Sequence, residues 1–125
     1  MRTYLGLVIV VAAAWGSGAT AQDKKNEPIY TAADLYNRCS GSSQDRQLCF
    51  AYIRGFSDGN RWLLTDAPVA RGVAVPWGVC VPNAEPISAA ADLVVARFRG
   101  RESEIDTLSP FRALSIALSG RYPCK

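Results

Sequence analysis

Between residues 45 and 64, apolar and small residues recur at Leu48, Cys49, Tyr52, Ile53, Phe56, Gly59 and Leu63, a helical period that predicts one long amphipathic helix. Gly55 and Gly59 each cost up to ~1 kcal/mol against alanine inside a helix. The pattern therefore predicts a packing gain at both, with a neighbouring element approaching the backbone closely. Upstream, Thr31 with Asp34 three residues on reads as the N-cap of a helix over 32–38, ended near Cys39 by the turn cluster 40–43. Downstream, Ser88 reads as the N-cap of a helix over 89–99 with Gly100 as its stop. Ser109-Pro110 opens a further helix over 110–119, with Phe111, Leu114, Ala117 and Leu118 on one face. The stretch 65–82 holds three prolines and two glycines and no helical period, so it reads as a long connection. The expected fold is all-α, a small disulfide-braced bundle of about four helices.

The first 21 residues read differently. Met1-Arg2-Thr3 is a short basic start, residues 4–15 are almost purely apolar, and Ala19-Thr20-Ala21 fits a small-residue cleavage site. The apolar run is too short to span a hydrocarbon core of about 30 Å as a stable anchor. We therefore expect a signal peptide over 1–21, a flexible polar leader over 22–30, and a helical domain over 31–125. Cleavage before Gln22 would leave 104 residues. That product is expected to be soluble in the periplasm, without a lipid anchor, and to meet the membrane only during export.

In an exported domain the four cysteines, Cys39, Cys49, Cys80 and Cys124, read as two disulfides. Four cysteines allow three pairings. A tight helix-turn-helix brings Cys39 near Cys49, and antiparallel packing of the last two long helices brings Cys80 beside Cys124. The expected pairs are Cys39–Cys49 and Cys80–Cys124, with the crossed pairings as the alternatives. The spacing does not suit a zinc site, and neither a metal nor another cofactor is expected.

Composition narrows the chemistry further. The chain has 125 residues, with 14 Lys plus Arg against 11 Asp plus Glu, too mild an excess to argue for a nucleic-acid surface. It contains no histidine. Residues 55–59, Gly-Phe-Ser-Asp-Gly, match the G-x-S-x-G nucleophile elbow, but they lie inside a helical period and have no imidazole to serve as base. Ser57 is expected to be non-catalytic. Asp34, Asp45, Asp58 and Asp92 offer carboxylate pairs of the kind used on sugars, yet caps and solvated faces explain them more simply. Arg97, Arg99 and Arg101 read as a solvated helix end. Within the long connection, Arg71 and Trp77 are the candidate partner-binding residues, Trp77 being either an exposed anchor or a plug over the Cys80 disulfide.

Asp34-Leu35-Tyr36 leading to Cys39, and Cys49-Phe50-Ala51-Tyr52-Ile53-Arg54-Gly55, resemble the first helical pair of the Rap/Tai immunity-protein family. Cys80-Val81-Pro82, the 92–98 helix and the closing Tyr122-Pro123-Cys124 continue the likeness across residues 31–124. The resemblance implies a small exported helical protein, typically dimeric, that inhibits a peptidoglycan amidase delivered by type VI secretion. It implies occlusion by a loop placed in or over the active-site groove, and therefore no turnover. A periplasmic stress or assembly module with no amidase target is the alternative, and an uncharacterised hydrolase is a third reading that the missing histidine disfavours.

Overall fold

A computed structural model describes residues 27–65 and 78–125. The signal peptide expected over 1–21, the start at Gln22, most of the 65–82 connection, and both Arg71 and Trp77 lie outside the described residues. Five helices are present among those described: α1 (Ala32–Ser40), α2 (Ser43–Thr65), α3 (Ile87–Phe98), α4 (Glu102–Ile105) and α5 (Pro110–Leu118).

Local chemistry sets the helix starts. At α1 the Thr31 hydroxyl accepts from the Asp34 N–H at 3.0 Å, and the Asp34 carboxylate accepts from the Thr31 N–H at 2.9 Å, a reciprocal capping box. Burial pushes the Asp34 carboxyl up, but these hydrogen bonds outweigh it and leave the group below its ordinary value. The same device opens α2 two residues earlier than its period predicts. The Ser42 hydroxyl accepts from the Asp45 N–H at 3.2 Å and donates to the Asp45 carboxylate at 2.8 Å. At α5, the Ser109 hydroxyl caps the Arg112 N–H and Pro110 occupies the first turn.

One expectation needs correcting. α3 begins at Ile87, with Pro86 at the N-cap position, so Ser88 lies inside the first turn and caps nothing. The link between α3 and α5 holds the short helix α4, which buries Ile105. Gly100, at a φ of 72°, provides the left-handed turn between α3 and α4.

α1 lies at the centre, packed on α2, α3, α4 and α5. Its Leu35 and Cys39 meet Cys49 and Ile53 of α2, Val94 and Phe98 of α3, and Leu114 and Leu118 of α5 in one buried cluster. Burying a large side chain such as Phe98 is worth roughly 1.5–3 kcal/mol. The disulfides close the cluster at two places: Cys39–Cys49, with Cα atoms 5.0 Å apart, and Cys80–Cys124, with Cα atoms 4.9 Å apart. No described helix is long and apolar enough to cross a membrane.

Candidate interaction surface

The long connection returns to the described structure at Gly78, and its return is fixed from two sides. On one side Val79 makes an isolated antiparallel bridge with Pro123. The Cys80 N–H donates to the Tyr122 carbonyl at 2.9 Å, and the Cys80–Cys124 disulfide crosses the same junction. On the other side α2 holds both backbone polar groups of Val81. The Ser57 hydroxyl accepts from the Val81 N–H at 2.8 Å, and the Arg61 guanidinium donates to the Val81 carbonyl at 2.7 Å. Ser57 and Arg61 stand one helical turn apart, so a single stretch of α2 reads a single residue's backbone as a neighbouring strand would.

This clasp explains the serine that sequence alone offered as a nucleophile elbow. Ser57 is fully buried in the middle of a helix, and its hydroxyl is engaged by a backbone N–H. An elbow needs the opposite placement, a serine exposed on a strand-to-helix turn. The signal that would have revealed its role is a partner 24 positions away, which no local pattern carries.

The remaining polar candidates are tied up in structure. Asp45 accepts from Arg38 as well as from Ser42; the Ser42 hydroxyl and then Arg38 hold its carboxyl below the ordinary range. Asp92 pairs with Arg46 at 2.8 Å, and Asp58 lies 3.5 Å from Arg61. Arg97 and Arg101 are not simply a solvated end, because both converge on Glu104 of α4, Arg97 through two nitrogens at 2.9 and 3.3 Å. Beside the clasp, the Tyr122 hydroxyl donates to Glu85 at 2.8 Å; burial first, and this bond and charge second, push the phenol up. Among the described residues no group of His, Cys, Asp or Glu is arranged to hold a metal ion.

Gly55 and Gly59 correct the sequence expectation directly. Both are exposed, and apart from their chain neighbours and the helix's own backbone no described atom lies within 4 Å of where a Cβ would stand. The tight glycine is Gly41, in the turn between α1 and α2. A Cβ there would come within 2.7 Å of the Asp45 carboxylate and 2.8 Å of the Asn37 carbonyl. Beyond the two glycines, Trp62 and Leu63 stand 55% and 43% exposed at the end of α2, where the long connection departs. On α5, Phe111 is 50% exposed and meets Phe56 edge to face, with ring centroids 5.1 Å apart.

A family model of Rap1a immunity proteins matches residues 31–124. No curated protein and no solved structure matches the chain.

Proposed function

The chain belongs to the Rap1a immunity protein family, and from that premise we propose that it is a non-enzymatic periplasmic protein that blocks a peptidoglycan amidase effector of type VI secretion. An immunity protein acts on a secreted effector, so the partner is a protein rather than a small molecule. The narrower choice of an amidase follows the family resemblance. The signal peptide over 1–21 would deliver the chain to the compartment where such an effector works, and the resemblance adds pairing with a second copy.

The observation that carries this reading is the clasp. Inhibition by occlusion is cheapest when the occluding segment leaves from a fixed base, because less conformational entropy is lost on binding. Here the backbone that follows residue 77 is held by a disulfide, a β-bridge and two side chains of α2. Arg71 and Trp77 are the contact residues proposed in the connection that springs from this base. Arg71 would face an acidic rim, and Trp77 would enter the groove.

Capture of an exported protein from periplasmic extract, followed by an amidase inhibition assay, tests the reading. Arg71→Glu should slow association about 10-fold at low salt, with the difference shrinking as ionic strength rises. An association rate unchanged by Arg71→Glu would remove that residue from the interface. Failure to recover any exported partner, with holdase activity toward unfolded clients instead, would favour the stress-module alternative.

A further inference from the structure

The two disulfides differ in what surrounds them. Cys39 and Cys49 are fully buried and belong to the central apolar cluster. Cys80 and Cys124 are partly exposed and stand outside that cluster. Thiol–disulfide exchange begins when a thiolate attacks a disulfide sulfur, so access to the sulfur helps to set its rate. An external thiolate reaches Cys39–Cys49 only after α1 and α2 part, which takes most of the fold with it. It reaches Cys80–Cys124 with every helix in place.

We propose that Cys80–Cys124 is a reducible switch in the folded protein. A dithiol of the Cys-x-x-Cys oxidoreductase class opens it, loosens the base of the long connection and weakens the hold on the effector, while Cys39–Cys49 stays closed. One thiolate of the dithiol bonds to a clasp sulfur, and the other clasp cysteine leaves as a thiolate that takes up a proton. The second thiol of the dithiol then displaces this mixed disulfide. The dithiol ends as a disulfide, oxidised by two electrons, and Cys80 and Cys124 end as two thiols. All four cysteines of the chain lie in the two bonds, so the opened pair has no free thiol with which to mispair. Reoxidation therefore restores the same bond.

The contacts left behind explain why opening matters. The Val79–Pro123 bridge, the Cys80 N–H to Tyr122 carbonyl bond and the Cys124 N–H to Gly78 carbonyl bond at 3.4 Å all join the two segments that the disulfide joins. Without the covalent link they form one small patch of backbone hydrogen bonds, which opens and closes as a unit. Ser57 and Arg61 then hold Val81 from one side only. A base that opens and closes must be ordered again on binding, and affinity falls by that amount. Inhibition is thereby tied to an oxidising compartment. The effector half of the inference rests on the proposed function, whereas the selective opening rests on the geometry of the clasp.

The test treats the oxidised exported protein with dithiothreitol from ~0.1 to ~10 mM without denaturant, then alkylates the thiols and maps them by peptide mass. Cys80 and Cys124 should become labelled at least 100-fold faster than Cys39 and Cys49, with far-UV circular dichroism unchanged. Equal labelling rates, or loss of the helical signal as the clasp opens, would overturn the selective opening. Affinity for the captured amidase should fall at least 10-fold in the clasp-reduced protein and return on treatment with oxidised glutathione. Cys80→Ser with Cys124→Ser should bind as the reduced protein does and ignore the dithiol. Selective labelling with unchanged affinity, or a serine variant that binds as tightly as the oxidised protein, would overturn the switch. An oxidised protein that binds no amidase would overturn the proposed function and the effector half together, while the labelling pattern still decides the selective opening.

Discussion

The two disulfides brace regions built on different principles. Cys39–Cys49 closes ten residues of a helical hairpin that already holds itself together. Ser42 and Asp45 cap α2, Arg38 reaches Asp45, and the Arg46 guanidinium donates to the Cys39 carbonyl at 2.8 Å. Cys80–Cys124 closes 44 residues and secures a non-helical stretch whose other supports are one β-bridge and two side chains from α2. The hairpin is redundant and local, whereas the clasp is sparse and joins residues far apart in sequence. A covalent bond matters most where little else does its work.

Removing the clasp disulfide with Cys80→Ser and Cys124→Ser should have the largest effect. On the chain-entropy model a 44-residue loop is worth about 4 kcal/mol, against about 2.7 kcal/mol for the ten-residue loop. Urea unfolding of the two double variants checks the order, and equal losses would erase the contrast. The variants should also differ in character: amide exchange should accelerate around residues 78–82 in the clasp variant and stay slow in α1 and α2 of the hairpin variant.

Ser57→Ala sharpens the comparison at one atom. It leaves the buried Val81 N–H without its acceptor, at a cost of roughly 1–3 kcal/mol. Exchange of the Val81 amide should quicken while the Cys39–Cys49 hairpin stays protected. An unchanged Val81 amide would mean that the disulfide and bridge suffice without α2.

The smallest effect separates the regions by pH. Asp34 and Asp45 have carboxyls lowered below the ordinary 3.8, so their stabilisation is present above pH 3.8 and lost as pH falls through the lower folded-state values. Tyr122 is raised above 10.0, so its contribution is present below pH 10.0 and lost as pH climbs through the folded-state value. The hairpin should weaken in acid and the clasp in alkali. Unfolding free energies from pH 2 to 11 for Asp45→Asn and Tyr122→Phe test this, each variant flattening one limb. Tyr52, also raised by burial, should retain part of the alkaline limb in Tyr122→Phe.

The difference between the regions also explains what the sequence disclosed. Thr31 with Asp34, and Ser109 with Pro110, act across three residues or fewer and could be read directly. The α3 start was misplaced because Pro86, with its fixed φ, occupies the N-cap position without a side-chain bond that would favour Ser88 over it. α4 is only four residues long, less than one hydrophobic period needs to become visible. Gly55 and Gly59 drew attention because glycine in a helix has a cost, but that cost does not say which face the glycine occupies. Gly41 passed as an ordinary turn residue, since the Asp45 and Asn37 atoms that crowd it appear only when α1 and α2 fold together. Ser57 and Arg61 were out of reach for the same reason, as their partner lies 24 and 20 positions away.

The order of the cysteines has a consequence for biosynthesis. Each is bonded to the next along the chain, Cys39 to Cys49 and Cys80 to Cys124. An oxidase that joins thiols in the order in which they emerge would therefore reach the native connectivity without a shuffling step. The vulnerable interval runs from the appearance of Cys80 to that of Cys124. Throughout it one thiol waits alone, and Cys39 and Cys49 are harmless to it only if they have already found each other. Rapid closure of the hairpin thus protects the later bond, a service that its own modest contribution to stability would not reveal.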